Sequence, residues 1–329
     1  MHTYFLSGLL VLWTLSSCQQ EYASTANPKA SKEARQLLSR LYEMRGKEVW
    51  SGQHNYATHL NRSEDTVRHR TGRLPIVWGS DFLRGYPGDY RQEVVDEAIR
   101  HQKQGHIITL MYHMIRPMGH DSLGFTLGVK GRVSDEEWER IITPGTVEND
   151  CLISKIDRPV PYLQELRDKR IPVLWRPFHE MNGMWFWYGD RRGPEGVQLL
   201  WRVMYERYTD LHGLDNLLWV WNANGPRDWP DDEAYAYDLF YPGHEYVDVL
   251  AADIYKADYQ PSHHDDLVKL AEGRPIAIGE CGRLPDPSLF ESQPDWVWFM
   301  TWAQWIWREN TPDQVRSVYN HPKVSSKAP

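Results

Sequence analysis

Positive charge is in short supply: 37 Lys and Arg stand against 45 Asp and Glu, a formal net charge of −8. A basic face able to grip a phosphate backbone is not expected, so nucleic acid is set aside as a partner. Cysteine is scarce too, with three in 329 residues. Cys151 and Cys281 show none of the close spacing of a metal site and are read as unpaired, partly buried thiols. The Gly-x-Ser-x-Gly nucleophile turn and the phosphate-cradling glycine loop are both missing. His179-Glu180 begins like a zinc-protease motif, but Gly183 stands where the second histidine belongs. No spacing joins His54, Asp81 and His113 into a metal site. Neither a metal nor a cofactor is expected.

Long apolar runs are almost absent. The run from Tyr4 to Leu15 is shorter than the roughly 20 residues that a membrane-spanning helix needs. It suits the hydrophobic region of a secretory signal, although Lys and Arg are missing from its start. Leu15-Ser16-Ser17-Cys18 resembles a bacterial lipoprotein processing site. Residues 1–17 are therefore read as a signal peptide and Cys18 as the lipidated first residue of an exported, membrane-anchored protein, periplasmic or at the cell surface. Small polar residues over 18–30 read as a flexible tether, and 31–329 as one domain, with a monomer as the default.

Aromatics, by contrast, are plentiful: 16 Trp and 18 Tyr. Such side chains stack on sugar rings, and they also fill large cores. Short apolar runs recur at 49–54, 75–82, 106–113, 171–180, 217–224, 247–255, 274–282 and 296–303. Several are nearly continuous, as parallel strands covered on both faces should be. Helical patterns lie between them, at 89–105, 195–213 and 263–273, with Ser31 capping a first helix and Thr311-Pro312 opening a last one. Eight such alternations predict an α/β fold, a single (β/α)8 TIM barrel. Residues 114–150 make a long connection of the kind that is usually functional.

Chemistry in such a barrel belongs at the carboxyl ends of its strands. His54, Asp81, His113, Glu180, Asn222, Asp253, Tyr255 and Glu280 all fall at or within two residues of those ends. Alternation groups Leu174, Arg176, Phe178 and Glu180 on one side of the fourth strand, and Ile276, Ile278 and Glu280 on one side of the seventh. Both acids then point into the mouth, where two facing carboxyls push their pKa values apart and leave one protonated. Glycoside hydrolysis requires that division. The plainer alternative pairs each acid with an arginine, Arg176 or Arg283. Around Glu180, the residues Trp175, Phe178, Trp185, Phe186, Trp187 and Tyr188 are too many for one core to hold.

WRPFHEMNGMWFWYG (175–189), together with YH at 112–113, DIY at 253–255, IGECG at 278–282 and ITPGT at 142–146, resembles glycoside hydrolase family 26. Its best-known members are β-mannanases, and the likeness runs over nearly the whole chain after Cys18. The resemblance implies Glu180 as acid/base and Glu280 as nucleophile in a retaining hydrolase of β-mannan or manno-oligosaccharides. It implies that His113 and His179 contact the sugar where cleavage happens and that Trp185 walls that subsite. It further implies that Tyr255 orients Glu280 and that Asp253 holds substrate hydroxyls or His113. Trp302 is a weaker candidate for a stacking floor. Trp175, Trp219 and Trp221 are left to packing. The same family acts on mixed-linkage β-glucan and β-1,3-xylan, and a barrel that only binds glycan is the remaining alternative.

Overall fold

Ser31 opens the first helix by accepting a hydrogen bond from the Ala34 N–H, and α1 (Lys32–Met44) turns Ala34, Leu37, Leu38, Leu41 and Met44 inward. Those side chains meet the lower interior of a barrel. The computed structural model describes residues 23–83 and 88–328. Its strands are β1 (Val49–His54), β2 (Val77–Asp81), β3 (Ile107–Tyr112) and β4 (Val173–Pro177). They continue as β5 (Leu217–Asn224), β6 (Val249–Ile254), β7 (Ile276–Cys281) and β8 (Trp296–Thr301). Each pairs in parallel with the next, and β8 pairs with β1, so the sheet closes. The eight predicted strands are all present. A two-residue strand, β9 (Val324–Ser325), adds to β1 outside the ring.

Helices α2 (Arg62–Thr71), α3 (Arg91–Lys103), α4 (Asp135–Ile142), α5 (Val147–Asp157), α6 (Val160–Asp168), α7 (Val197–Glu206) and α8 (Pro261–Ala271) lie between the strands. The last helix, Pro312–Tyr319, carries a full capping box between Thr311 and Gln314. Two apolar layers result. An outer one, between strands and helices, holds Val94, Leu163, Trp175, Leu200, Trp219 and Leu267. An inner one holds Leu174, Leu218, Val220, Ala251, Ala277 and Met300, closed from below by α1.

One expectation needs correction. Residues 23–30, read as part of a tether, are docked on the barrel. The Ala26 N–H donates to Asp248 Oδ1 at 2.6 Å, the Tyr205 hydroxyl donates to the Ala26 carbonyl at 2.7 Å, and Asn27 is buried. Small polar residues look like linker, but here the backbone supplies the bonds. Residues 1–22, including the signal reading and Cys18, lie outside the described residues. The long 114–150 connection builds α4 and the start of α5 and folds back over residues 185–187. Among the described residues, Cys151 is half-buried and Cys281 fully buried, and both are free.

Candidate active site

The chain leaves β4 at Pro177 in a turn that no alternation rule anticipates. Phe178 and Glu180 both adopt left-handed backbone angles (φ 48° and 54°), unusual for residues with a side chain. The Glu180 N–H donates to the Asn222 carbonyl at 2.8 Å, and the Gly183 N–H donates back to the Glu180 carbonyl at 3.0 Å, which pins the turn against β5. Phe178 consequently packs outward, edge to face with Tyr188 at 5.5 Å, while Glu180 swings over the mouth. The expected grouping of Phe178 with Glu180 is thus wrong, although Glu180 reaches the mouth as foreseen.

The seventh strand corrects its grouping in another way. Ile276 and Ile278 belong to the outer layer and Ala277 to the inner one. Alternation alone would therefore turn Glu280 outward. The pairing of β6 with β7 slips by one residue, from Ala252↔Ile278 to Asp253↔Glu280, so Gly279 is a bulge that carries Glu280 inward. Glycine is required there, because a Cβ would overlap Asn222 Oδ1 and come within 2.9 Å of Asp253 Oδ1.

One carboxylate oxygen each from Glu180, Asp253 and Glu280 lie within 4.8 Å of one another, and all three residues are buried. Their partners differ. Trp185 Nε1 and Asn224 Nδ2 each donate to Glu180 at 2.7 Å. Arg176 donates to Glu280 Oε1 at 3.1 Å, and the Tyr255 hydroxyl donates to Oε2 at 2.7 Å. Burial, then the charge of Glu280, raises the Glu180 pKa to about 7 against the two hydrogen bonds. Burial raises Glu280 as well, but there Arg176 and Tyr255 oppose it directly. The guanidinium makes Glu280 the member of the pair that ionises first, leaving the proton on Glu180. The Arg176 pairing foreseen as the plainer alternative therefore exists for Glu280, while no arginine bonds the Glu180 carboxyl among the described residues.

Asp253 is 0% exposed, so it does not reach the open mouth in this conformation. Nor does it hold His113. Arg176 lies 3.9 Å away, and burial followed by the two glutamates drives its pKa well up. The partner of His113 is Asp81, whose Oδ2 accepts from Nδ1 at 2.6 Å and whose Oδ1 accepts from the His113 backbone N–H at 3.2 Å. Burial pulls the His113 pKa down, but Asp81 outweighs it and the net shift is upward. His179, packed edge to face on His113 at 4.3 Å, is driven well down by burial and then by His113 and Arg176, so its ring is neutral.

Trp185 is half-buried, with its ring against Gly183, where a Cβ would collide with the indole, and the Arg227 guanidinium 5.1 Å from the ring. Trp302 is also half-buried and stacks on His54 at 3.8 Å, so it is not a core tryptophan. Of the six aromatics thought too many for one core, all but Trp185 are buried. Residues 114–131 cover two of them: Trp187 Nε1 donates to the Met114 carbonyl and its backbone N–H to Val129, and Phe125 packs on Phe186, while Trp175 lies elsewhere, against Phe82 and Tyr208. Trp175, Trp219 and Trp221 are buried in the outer layer, as packing residues should be.

The eight residues named from the sequence thus gather at one end of the barrel, with Asp253 beneath the mouth, and a cavity of about 190 Å³ lined by Tyr56, Asp81, Tyr90 and Phe125 adjoins them at Asp81. One contributor escaped the sequence reading: Asn224 lies two residues beyond Asn222 on β5, so alternation could have found it. Asp81 was named at its strand end but given no partner, because its pairing with His113 is a contact between strands.

A family model described as glycosyl hydrolase family 26 matches residues 26–329. The mannan endo-1,4-beta-mannosidase of Thermothelomyces thermophilus is 31% identical, over 92% of this chain and 62% of that protein. The Bacillus subtilis (strain 168) protein of the same description is 28% identical, over 90% of this chain and 88% of its own length. The solved structure of GH26A from Muricauda sp. superposes with a TM-score of 0.89 at 42% identity, covering 91% of this chain and 98% of that one. The chain spans about half to three-fifths of the length of the first curated relatives it matches. A match over almost all of the described residues, on the same barrel, leaves one conclusion: the chain belongs to glycosyl hydrolase family 26.

Proposed function

We propose that this chain is a retaining glycoside hydrolase that cleaves β-1,4-mannosidic bonds in mannans or manno-oligosaccharides. One observation carries the reading: Glu180 and Glu280 present oxygens within 4.8 Å of each other. Retaining enzymes hold their two carboxyls about 5–5.5 Å apart, whereas inverting ones leave about 6.5–9.5 Å for a water. The names of the family relatives support mannan as the polymer.

Glu280, held ionised by Arg176 and aimed by Tyr255, attacks the anomeric carbon. Glu180 gives its proton to the departing oxygen, so the glycosidic C–O bond breaks as the ester to Glu280 forms. Glu180, now anionic and steadied by Trp185 and Asn224, takes a proton from water as that water displaces Glu280. His113 and His179 border the sugar at the cleavage point, Trp185 walls it, and Trp302 offers a half-open face beside His54. Asp253 acts from beneath, through Arg176, rather than on substrate hydroxyls. The residues use carboxylate chemistry throughout, so the reading needs no cofactor.

Incubation with mannan, lichenan and β-1,3-xylan, with products separated by chain length, tests the reading. Mannan should be cleaved fastest, and the product ladder distinguishes internal from terminal attack. Preference for either other polymer would reassign the substrate within the family. Tight mannan binding without new reducing ends would make the chain a glycan-capture protein. We further propose that the exported protein is lipidated at Cys18 and held at a membrane. Cys18→Ala should abolish incorporation of labelled palmitate and release the protein to the soluble fraction.

A further inference from the structure

We propose that Glu64, His101 and His106 form a zinc site beside the amino-terminal end of β3, away from the catalytic mouth. The spacing of these residues did not suggest a metal in the sequence. The fold gathers them from α2, the last turn of α3 and the residue before β3. One donor atom from each lies within 4.8 Å of the other two, and all three side chains are buried.

The orientation of His101 makes the argument specific. Its Nδ1 lies 3.0 Å from the Glu97 carbonyl, which can only accept, so Nδ1 carries a hydrogen. Trp78 stacks on the same ring at 4.7 Å and fixes its plane. Nε2 then faces Glu64 Oε2 at 2.7 Å. In a neutral ring those are two lone pairs, and only a proton or a metal cation between them relieves the repulsion. A backbone carbonyl on the far ring nitrogen is the usual support for a metal-bound histidine.

His106 completes the set. It is 2% exposed, and apart from a backbone contact with Pro75 neither ring nitrogen has a hydrogen bond of good geometry among the described residues. Nδ1 lies 3.7 Å from Glu64 Oε1, which is likewise unbonded. Donors around a four-coordinate zinc stand about 3.4 Å apart; the two Glu64 oxygens face the two rings separately, Oε2 at 2.7 Å from His101 and Oε1 at 3.7 Å from His106, so the carboxylate bridges both histidines.

A cavity of about 660 Å³, lined by Glu64, His106, Arg100 and Lys327, reaches the cluster from solvent and leaves room for water as a fourth ligand. Its three cations are engaged elsewhere: Arg68 pairs with Asp65, Arg100 pairs with Glu97, although it also approaches His101 Nε2 at 3.4 Å, and Lys327 donates to the Gln104 carbonyl. Two imidazoles and one carboxylate suit zinc among divalent ions. A metal here would tie α2 to α3 and β3, a structural role.

The full chain, stripped with a chelator and titrated with zinc sulfate, should retain one equivalent through gel filtration and melt at a higher temperature. His106→Ala should weaken binding by more than about 100-fold, beyond what loss of a supporting partner does. Glu64→Gln keeps the shape of the site and should weaken binding similarly, which covers a folding failure of the first variant. Crystals of the zinc-loaded wild type should show an anomalous peak among the three side chains. Failure of the folded wild type to retain zinc, full retention by both variants, or a peak elsewhere would overturn the proposal without touching the mannanase reading.

Discussion

The lower interior of the barrel and its mouth are built from the same strands, a step or two apart. Leu174 lies below Arg176 on β4, Val220 below Asn222 on β5, Ala251 below Asp253 on β6, and Ala277 below the bulge that presents Glu280. Two residues of strand rise only about 6.6 Å. Within that distance the protein changes from apolar packing, which stabilises it, to three buried carboxyls and a guanidinium, which do not stabilise it by burial. The lower layer is held by area removed from water. The mouth is held by reciprocal hydrogen bonds that orient charge in advance of substrate, the arrangement that makes electrostatic catalysis effective. Stability and chemistry therefore occupy adjacent layers and should respond separately to mutation.

The largest expected effect is at Glu280. Glu280→Ala removes the nucleophile of the proposed mechanism and should lower kcat on mannan by at least about 10⁴-fold, with the circular dichroism spectrum unchanged. Turnover at the parent rate would remove Glu280 from its role. Next comes Glu180→Gln, which should lower kcat on mannan by about 10²–10⁴-fold, the range for lost general-acid catalysis. On an activated aryl mannobioside, whose leaving group needs little protonation, the same variant should lose much less in kcat/KM, which reports the first step alone. Equal losses of kcat/KM on both substrates would mean that Glu180 does not supply the proton.

The layers differ in how legible they were. Nearly continuous apolar runs revealed eight strands because a parallel sheet covered on both faces leaves little else to choose. Polar residues at the ends of those runs marked the mouth for the same reason. The path by which the acids reach it was hidden. Glu280 depends on a bulge at Gly279 and Glu180 on a left-handed turn fixed by the Asn222 carbonyl, and both are decided by neighbouring strands. Residues 23–30 were misjudged because their bonds are made by backbone to Asp248 and Tyr205, which composition does not record. The room for the aromatics around Glu180 was equally hidden, because Phe186 and Trp187 are covered by residues 114–131, a contact between distant segments.

A smaller effect sharpens the contrast through pH. Activity that needs protonated Glu180 should fall as pH rises through about 7. The Trp185 N–H stabilises the carboxylate and so lowers this pKa. Trp185→Phe keeps a ring but removes the donor, so the alkaline limb of kcat/KM should move to higher pH. A shift to lower pH, or none, would separate Trp185 from the acid. The same raised pKa makes a stability statement. Folded Glu180 holds its proton more tightly than the unfolded chain does, so its contribution is full below about pH 4 and is lost as pH climbs to about 7. Gln cannot ionise. The melting temperature of Glu180→Gln relative to the parent should therefore improve by about 2–5 °C between pH 4 and pH 8.

The smallest expected effect on catalysis belongs to the lower layer, and it carries the separation to its limit. Leu38 is 1% exposed on α1, packed into the cluster that contains Leu174, Leu218 and Val297. Leu38→Ala should destabilise the fold by about 2–5 kcal/mol through lost burial and the cavity left behind. No hydrogen bond of the mouth passes through α1, and the strand residues above Leu174 and Val220 are fixed to one another by Arg176 and Asn222. Well below the melting temperature, kcat and KM on mannan should match the parent within about twofold, the scatter expected when barrier changes stay under about 0.4 kcal/mol. A large loss of kcat in a variant that remains fully folded at the assay temperature would mean that strain in the lower layer reaches the carboxyls, and that the layers form one mechanical unit.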